Sequence, residues 1–389
     1  MDFQPDEMQS HIRELARIFA RECVAPEAGA WDRDARIPDD FLLRMARQGF
    51  LGMTAPPQFG GSAVDPVGFV LALGEVSAAS PVLGLVMSVH NQVCDAVGRF
   101  GTEDQRRRFL PDLAAGGRIG SIAFGEPRAG FGEAAIEASA ERVDGGYVLN
   151  GRKMHVPNGA YPGIALVCAR VSPGEPGGES RRVEPTFFLV DKDAEGTRRE
   201  AAERTLGLRA AGMAVHRFAD CFVREEDRLG EEGSGFRIIE EVVGMGRLGI
   251  AAQCVGIARA AFGLALRHAQ AREPFGGPLA NLQAVQFSLA DMATAIDAAE
   301  LLTLRAAWRK ARREPYGTEA AMAKLLASEA AGEVTDAALQ LHGGGGYLES
   351  SPVARLYADA RGTRICEGTS EVLRLLIARD LIGALKKEG

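Results

Sequence analysis

One carboxylate in this sequence stands where a chain could do proton chemistry. Glu367, within RICEGTSEVLRLLIARD (364–380), precedes a glycine and a helix-starting signal. Gly368 allows backbone angles that are unfavourable for other residues, and Thr369 or Ser370 can cap a following helix. Apolar residues then recur at helical spacing. The pattern therefore predicts Glu367 on a turn outside the helix. From this stretch alone, a solvated acid near a helix N-terminus is the favoured interpretation, and a catalytic base is the alternative.

Two glycine motifs offer further chemistry. GMGRLG (244–249) satisfies the dinucleotide-binding pattern G-x-G-x-x-G. That fold needs a strand before the motif and another after its helix, whereas a long helical pattern surrounds it here, so we expect helix-packing glycines. HGGGGYLESSP (342–352) ends a helix with four glycines, which permit the close approach of a planar or phosphorylated ligand. A plain helix break explains that run nearly as well.

The elements that would position these groups change character along the chain. Helical spacing dominates up to about residue 118, including a stripe of Met8, Ile12, Leu15 and Ile18. From about residue 119, short strands are predicted, with hairpins at 144–146 and at Asn150-Gly151. Helical spacing returns after residue 230. The order predicts an α+β protein with domains at 1–118, 119–230 and 231–389, and it argues against a doubly wound sheet.

Composition narrows the class. The 389 residues are 46% hydrophobic and 25% charged, as in a globular protein of two or three domains. A formal charge of -7 argues against a nucleic-acid or anionic-membrane surface. Six cysteines without a CxxC pair and six isolated histidines predict reduced thiols and no metal site. We find no apolar run that would span a bilayer and no signal peptide, so a cytoplasmic protein is expected.

The motifs, taken in order, resemble those of the acyl-CoA dehydrogenases, particularly the short-chain and branched-chain bacterial type. The resemblance covers nearly the whole chain, because ordered matches recur at matching separations. They are FGTEDQRRRFLPDLAAG, GEPRAGFGE, YVLNGRK, LGLRAAG, GMGRLGIAAQCVGIARAAFGLAL, REPFG, LQAVQFSLADMA, AAMAKLLASEAA, QLHGGGGYLESSPVARLYADAR and EGTSEVLRLLIARDLI. The resemblance implies an N-terminal helical domain, a middle antiparallel β-barrel-like domain and a C-terminal four-helix bundle.

The resemblance also assigns roles. Glu367 matches the base that removes the α proton of an acyl thioester while the β hydrogen leaves as hydride to FAD. Arg247 and Gly368 match positions near the acyl-CoA. The matched flavin positions fall into three groups: Arg272, Phe275 and Gln283 on the pyrophosphate and adenine side; Gln340, Gly343 and Gly344 on a loop that receives FAD shared with another subunit; and Thr369 and Glu371 beside the base.

The sequence departs from the family at the flavin and pantetheine contacts. GEPRAGFG occupies the place of the usual TEPGAGSD. Gly125, beside Phe124, therefore replaces a threonine at the flavin, and Arg128 replaces a glycine. Phe131 and Gly132 replace the serine and aspartate that contact the pantetheine. His155-Val156-Pro157 stands for W-I-T, and Pro157 brings neither a hydroxyl nor an N–H. His155 can still cover the flavin face. Gly244 replaces an acid that helps to hold CoA.

We therefore expect FAD-dependent α,β-dehydrogenation of an acyl-CoA, with electrons passed to an electron-transfer flavoprotein and with a homotetramer as the assembly. The departures leave two alternatives open. The site is refitted for a carrier-protein-bound or unusual thioester, or the flavin site has decayed in a protein that serves in interactions. A nicotinamide dehydrogenase is the least favoured interpretation.

Overall fold

A computed structural model describes residues 4–127, 136–172, 185–201, 204–274 and 276–388. The N-terminal part is helical. It comprises α1 (Glu7–Phe19), α2 (Ala28–Asp34), α3 (Asp39–Arg47), α4 (Pro66–Ala79), α5 (Pro81–Phe100) and α6 (Glu103–Ala114).

Side-chain caps fix where several of these helices begin. Asp6 and Thr102 form capping boxes at α1 and α6, and Asp65 and Ser80 cap α4 and α5. These side chains satisfy N–H groups that have no partner inside the helix. The predicted stripe on α1 is only partly buried, because Met8 is 63% exposed.

The middle part is one sheet. Its strands are β1 (Ile119–Ala123), β2 (Ser139–Val143), β3 (Gly146–Val156), β4 (Gly163–Ser172), β5 (Pro185–Asp191), β6 (Thr197–Ala201), β7 (Ala214–Arg224) and β8 (Arg228–Leu229). The order is β6-β7-β3-β2-β4-β5-β8, with β1 paired to β4. Phe187 and Phe188 enter different cores because successive residues of a strand face opposite sides of the sheet.

The register refines two expectations. Most pairs are antiparallel, but β1 and β2 both lie parallel to β4, so the sheet is mixed. The predicted hairpin at Asn150-Gly151 is wrong, because β3 continues through these residues. The register against β7 shifts between Leu149 and Gly151, where Ala219 and Asp220 of β7 both lie opposite Asn150, so the β-bulge is in β7. Asn-Gly is typical of tight turns, but here the glycine absorbs an irregular backbone angle, φ 152°.

The C-terminal part is again helical, with α7 (Gly235–Ala271), α8 (Gln283–Ala311), α9 (Gly317–His342), α10 (Pro352–Thr363) and α11 (Ser370–Glu388). Helix α7 packs on α4, α5, α8, α9 and α10, so it is the centre of the helical core. GMGRLG lies wholly inside α7, as expected for packing glycines. A side chain at Gly249 would lie 2.0 Å from Ser88 Oγ on α5.

Helix α7 also corrects one expectation. It is long and apolar enough to span a membrane by length and composition, although we expected no such segment. Core helices pass the same test of length and composition, and in this fold 72% of the apolar window of α7 is buried. The α+β class and the three-part order are confirmed, and the domain boundaries at 118 and 230 stay predictions.

Candidate active site

Glu367 lies on the turn between α10 and α11, which we call the base turn (residues 364–369). Its φ is +56°, and Gly368 follows with φ +100°. A left-handed backbone is uncommon for a residue with a side chain, and such strain clusters at functional sites. Thr369 Oγ1 accepts from the N–H of Val372 at 3.4 Å and thereby caps α11.

The Glu367 carboxylate points inward between α5 and α7. Gln92 Nε2 on α5 donates to Glu367 Oε1 at 3.3 Å and to the carbonyl of Val242 on α7 at 2.9 Å. A Cβ atom at Gly246 would lie 2.4 Å from Glu367 Oε1 and 2.2 Å from Gln92 Nε2. The carboxylate therefore occupies space that only glycine leaves free on this helix.

Two cations hold the backbone of the base turn. Arg247 Nε donates to the carbonyl oxygen of Glu367 at 3.3 Å, and the buried Lys324 Nζ donates to that of Gly368 at 2.7 Å. Ser370 Oγ donates to Glu329 at 2.6 Å, and Arg364 is paired with the same carboxylate. Within the part of the chain that the structure describes, the Glu367 N–H donates to no protein acceptor.

These neighbours set the proton affinity of the base. Burial raises the pKa of Glu367 above its ordinary value, against the opposing effects of the Gln92 hydrogen bond and of the Arg247 and Lys324 charges. Burial lowers the pKa of Arg247 and of Lys324. A carboxylate with a raised pKa inside the protein is suited to accept a proton from a carbon acid.

On the sheet side, Phe124 and Gly125 follow β1, and His155 and Pro157 lie at the end of β3. The carbonyl of Gly125 accepts from the N–H of Met154 at 2.8 Å, so these two segments run side by side. His155 has φ +53° where the register of β3 shifts, and its side chain is exposed. A bulge of this kind changes the direction in which a side chain points.

The turn after β3 is anchored to the helices. Asn158 Nδ2 donates to the carbonyls of Val86 on α5 and Gly120 on β1, both at 3.0 Å. The buried Lys192 Nζ donates to three carbonyls, including that of Asn158 at 2.8 Å. Val86 and Gln92 are about 9 Å apart along α5, so that one helix contacts both the Asn158 turn and the base.

A buried ion pair lies at the start of the segment that contains most of the altered motif GEPRAGFG. Glu126 pairs with Lys153 on β3, and the Glu126 carboxylate also accepts from the N–H groups of Glu137 and Ala138. Both side chains of the pair are excluded from solvent. The predicted substrate contact Phe131 lies outside the described residues, as do Arg128 and Gly132.

A second group of predicted residues lies at the far end of α7. We call it the bundle end, and it consists of Arg272, Gln283, Gln340, Gly343 and Gly344. The rings of His268 on α7 and His342 on α9 stack with centroids 4.3 Å apart, which brings Arg272 and Gly343 to the same end of the bundle. The N–H of Leu279 donates to the carbonyl of Arg272 at 2.8 Å, shortly before α8 begins at Gln283.

The bundle end is open to solvent. Arg272, Gln283 and Gln340 are exposed, and a Cβ atom at Gly343 or Gly344 would meet nothing within 4 Å. Among the described residues, no carboxylate lies within ion-pairing distance of Arg272. Phe275 lies outside them. An unpaired guanidinium beside open glycine backbone suits a pyrophosphate group, so these residues fit the FAD implied by the sequence.

The predicted flavin residues are therefore not all brought together in one chain. Arg247, which contacts the base turn, and Arg272 are 25 positions apart along α7, which corresponds to about 37 Å along the helix axis. Thr369 and Glu371 lie with the base, and the Glu371 side chain is exposed. Hydrogen bonds from its own backbone N–H and from Thr369 lower the pKa of Glu371.

Comparison with known proteins resolves the family. Models of the acyl-CoA dehydrogenase N-terminal, middle and C-terminal domains match residues 6–117, 121–221 and 233–382. The mitochondrial short-chain specific acyl-CoA dehydrogenase of Mus musculus is 38% identical, over 97% of this chain and 90% of its own. The chain belongs to the acyl-CoA dehydrogenase family.

Two solved structures share the whole fold of this acyl-CoA dehydrogenase family member. Butyryl-CoA dehydrogenase from Megasphaera elsdenii is 32% identical, with a TM-score of 0.93 over 98% of this chain and 100% of that one. A chain from a study of the electron transferring flavoprotein of Acidaminococcus fermentans is 35% identical, with a TM-score of 0.93 over 98% and 99%. The predicted family, oxidoreductase class and FAD dependence are confirmed.

Three residues beside the base were not predicted from the sequence. Gln92 stands in the short polar run His90–Gln92 of the largely apolar α5, and Lys324 is a lone cation in an alanine-rich stretch of α9. A polar residue on a buried helix face is a usable signal, but it does not name its partner. Gly246 was noticed as part of a motif, without its relation to Glu367.

Proposed function

We propose that this acyl-CoA dehydrogenase family member oxidises a short-chain acyl-CoA at its α,β bond with Glu367 as the base. The observation that carries the proposal is the inward-pointing Glu367 carboxylate on a strained turn, hydrogen-bonded to Gln92. Short chains are proposed because the relatives named above are short-chain specific and butyryl-CoA enzymes.

The chain's own groups supply the proton chemistry. The Glu367 carboxylate accepts the α proton, and its raised pKa makes that transfer more favourable than it would be in water. The Glu367 N–H is available to donate to the thioester oxygen, where negative charge develops as the α proton leaves. Bound FAD supplies hydride acceptance from the β carbon.

The two separated groups of residues support a site shared between subunits. Arg272, Gln283, Gln340, Gly343 and Gly344 would hold the adenine side of an FAD whose ring lies beside Glu367 of another subunit. Phe124, Gly125, His155, Pro157 and Thr369 would face the flavin ring, and Glu371 would support that contact. A shared FAD requires at least a dimer, and we propose a tetramer.

We propose Arg247, Gly368 and Phe131 as contacts of the acyl-CoA. An electron-transfer flavoprotein is the proposed acceptor, since a chain of this fold was solved in a study of such a flavoprotein. The cytoplasm is the proposed compartment.

The test is the Glu367→Gln variant. The amide keeps the shape of the side chain but does not accept the proton, so butyryl-CoA should no longer bleach the yellow flavin under anaerobic conditions. Loss of a general base costs about 10²- to 10⁴-fold in rate. The flavin spectrum and stoichiometry of the variant serve as the control. Normal bleaching in this variant would refute the assignment, and bleaching of the unmodified protein only by a carrier-bound thioester would favour the refitted alternative.

A further inference from the structure

A cavity lies on the helical side of the molecule, and none of its lining residues belongs to the base turn or the bundle end. It is a cleft of about 550 Å³ between α1, α4, α7 and α10. Five arginines line it, and we call it the arginine cleft: Arg13, Arg17, Arg259, Arg267 and Arg355. Its volume lies within the range of small-molecule sites.

The charge of this cleft opposes that of the whole protein. Glu75 is its one lining carboxylate among the described residues, against five guanidinium groups, whereas the chain carries a net charge of -7. A concave surface with one sign of charge concentrates ions of the other sign. The arginine cleft is thus a local anion attractor on an acidic protein.

Part of that charge is already neutralised. Glu75 Oε1 lies 2.7 Å from Arg13 Nε, 3.2 Å from Arg17 Nη2 and 3.9 Å from Arg259 Nη1, and Arg259 is also paired with Glu300. These contacts hold three guanidinium groups around Glu75. A fixed guanidinium loses little conformational freedom when it binds a ligand.

In the described part of the chain, the other two arginines form no ion pair, although the charge of Arg355 also acts on the buried carboxyl of Asp359. Within the described residues, neither Arg267 nor Arg355 has a carboxylate at ion-pairing distance, and the buried Nε of Arg355 has no hydrogen-bond partner. A buried donor without an acceptor is costly, so an acceptor supplied by a ligand would stabilise the site. Planar guanidinium forks match the oxygens of a phosphate group.

The rest of the lining is apolar. Leu264 on α7 and Pro352 and Leu356 on α10 contribute to the cleft, together with small alanines. A ligand that matches both parts has a phosphate end and a flat or apolar body. We propose that the arginine cleft binds a nucleotide-like organic phosphate, at a site separate from the acyl-CoA and FAD sites.

The experiment is calorimetric titration of the FAD-loaded protein with ADP at low salt, with and without saturating CoA. Loaded FAD occupies its own adenine site, and CoA occupies the substrate site. We expect one ADP per chain, insensitive to CoA. Because each charged phosphate contact is strong, Arg267→Ala and Arg355→Gln should each weaken binding about tenfold or more.

Arg107→Ala is the matched control, since Arg107 is an exposed arginine on α6 away from the cleft, and it should leave the affinity unchanged. The flavin spectrum and circular dichroism report folding. Arg267 is exposed on a helix surface, so its variant should fold even if that of Arg355 does not.

The proposal is overturned by any of four results: no ADP binding, displacement of ADP by CoA, equal affinity in the Arg267 variant, or dissociation of the assembly by Arg267→Ala. The last result would show that the cleft faces a second copy of the chain. Flavin bleaching by butyryl-CoA, measured separately, tests the proposed function independently.

Discussion

The base turn and the bundle end are surrounded differently, although both carry residues assigned to one flavin site. At the base turn, the Glu367 carboxylate has a donor in Gln92, and two flanking carbonyls have donors in Arg247 and Lys324. At the bundle end, Arg272 is exposed and the glycines adjoin open space. The first region is organised by its own chain. The second presents unused donors and bare backbone, which is expected of a surface that another molecule completes.

Gly246→Ala disturbs the base turn but not the bundle end, and it should have the largest effect on the rate of flavin reduction. The new methyl group would overlap Glu367 Oε1 and Gln92 Nε2, so the carboxylate must leave its place. We expect flavin reduction by butyryl-CoA to slow about 10²-fold or more while FAD stays bound. Stopped-flow absorbance measures the rate. Gly263→Ala on the same helix is the control, because its methyl group would meet only Arg267 Nη1 at 3.4 Å. An unchanged rate in Gly246→Ala would show that the base does not work from the position seen here.

The separation of the two regions can be tested by complementation. A Glu367→Gln chain lacks the base but keeps the bundle end, and an Arg272→Glu chain has the reverse defect. Each should be inactive alone, whereas random mixed assemblies should recover about one quarter of the sites, because each site draws on two chains. Turnover of co-expressed, doubly tagged protein is the measurement. If the mixture stays as inactive as the parents, the flavin site is not divided in the way proposed.

The smallest effect is expected from Gln92→Leu, which tests the hydrogen bond to Glu367 at the base turn. Gln92→Leu removes a hydrogen bond that stabilises the ionised Glu367, so the raised pKa of this carboxyl should rise further. Because the base works only when ionised, the midpoint of the pH–rate profile should move to higher pH. At pH below that midpoint, flavin reduction should slow by about three- to tenfold, the size expected for one ordinary hydrogen bond, because the Gln92–Glu367 contact of 3.3 Å is long.

Gln253→Leu is the matched control for that shift. Gln253 is also a buried amide that joins helices, and its Nε2 donates to the carbonyl of Pro81 at 2.6 Å without contacting the base. It should lower stability and leave the pH midpoint in place. Equal midpoints in Gln92→Leu and in the unmodified protein would mean that Gln92 serves packing alone.

The sequence was a good guide where a pattern is local. Gly368 and the capping Thr369 predicted the turn at Glu367, and the return of helical spacing after residue 230 predicted the helical C-terminal part. It was a poor guide where tertiary contacts decide. Asn150-Gly151 has the chemistry of a tight turn, but pairing with β7 carries β3 through these residues, opposite a bulge in β7.

The site shows the same division. The resemblance supplied Glu367, but no local pattern ties Gln92 to it across 275 positions. The role of Lys324 could not be predicted, because the sequence does not show which carbonyl accepts its hydrogen bond. In the structure it is the carbonyl of Gly368. The distance between the two groups of predicted flavin residues follows from the length of α7, which no motif records.

The hydrogen bonds of Glu126 join the two ends of the segment between Glu126 and Glu137, and this arrangement bears on how that segment can vary. Its carboxylate holds the N–H groups of Glu137 and Ala138 while Lys153 anchors it to β3. The stretch between those ends contains three of the departures from the family pattern, Arg128, Phe131 and Gly132. Because the bonds at both ends involve only Glu126, Lys153 and backbone N–H groups, the sequence between the ends can change while these bonds to the sheet are kept.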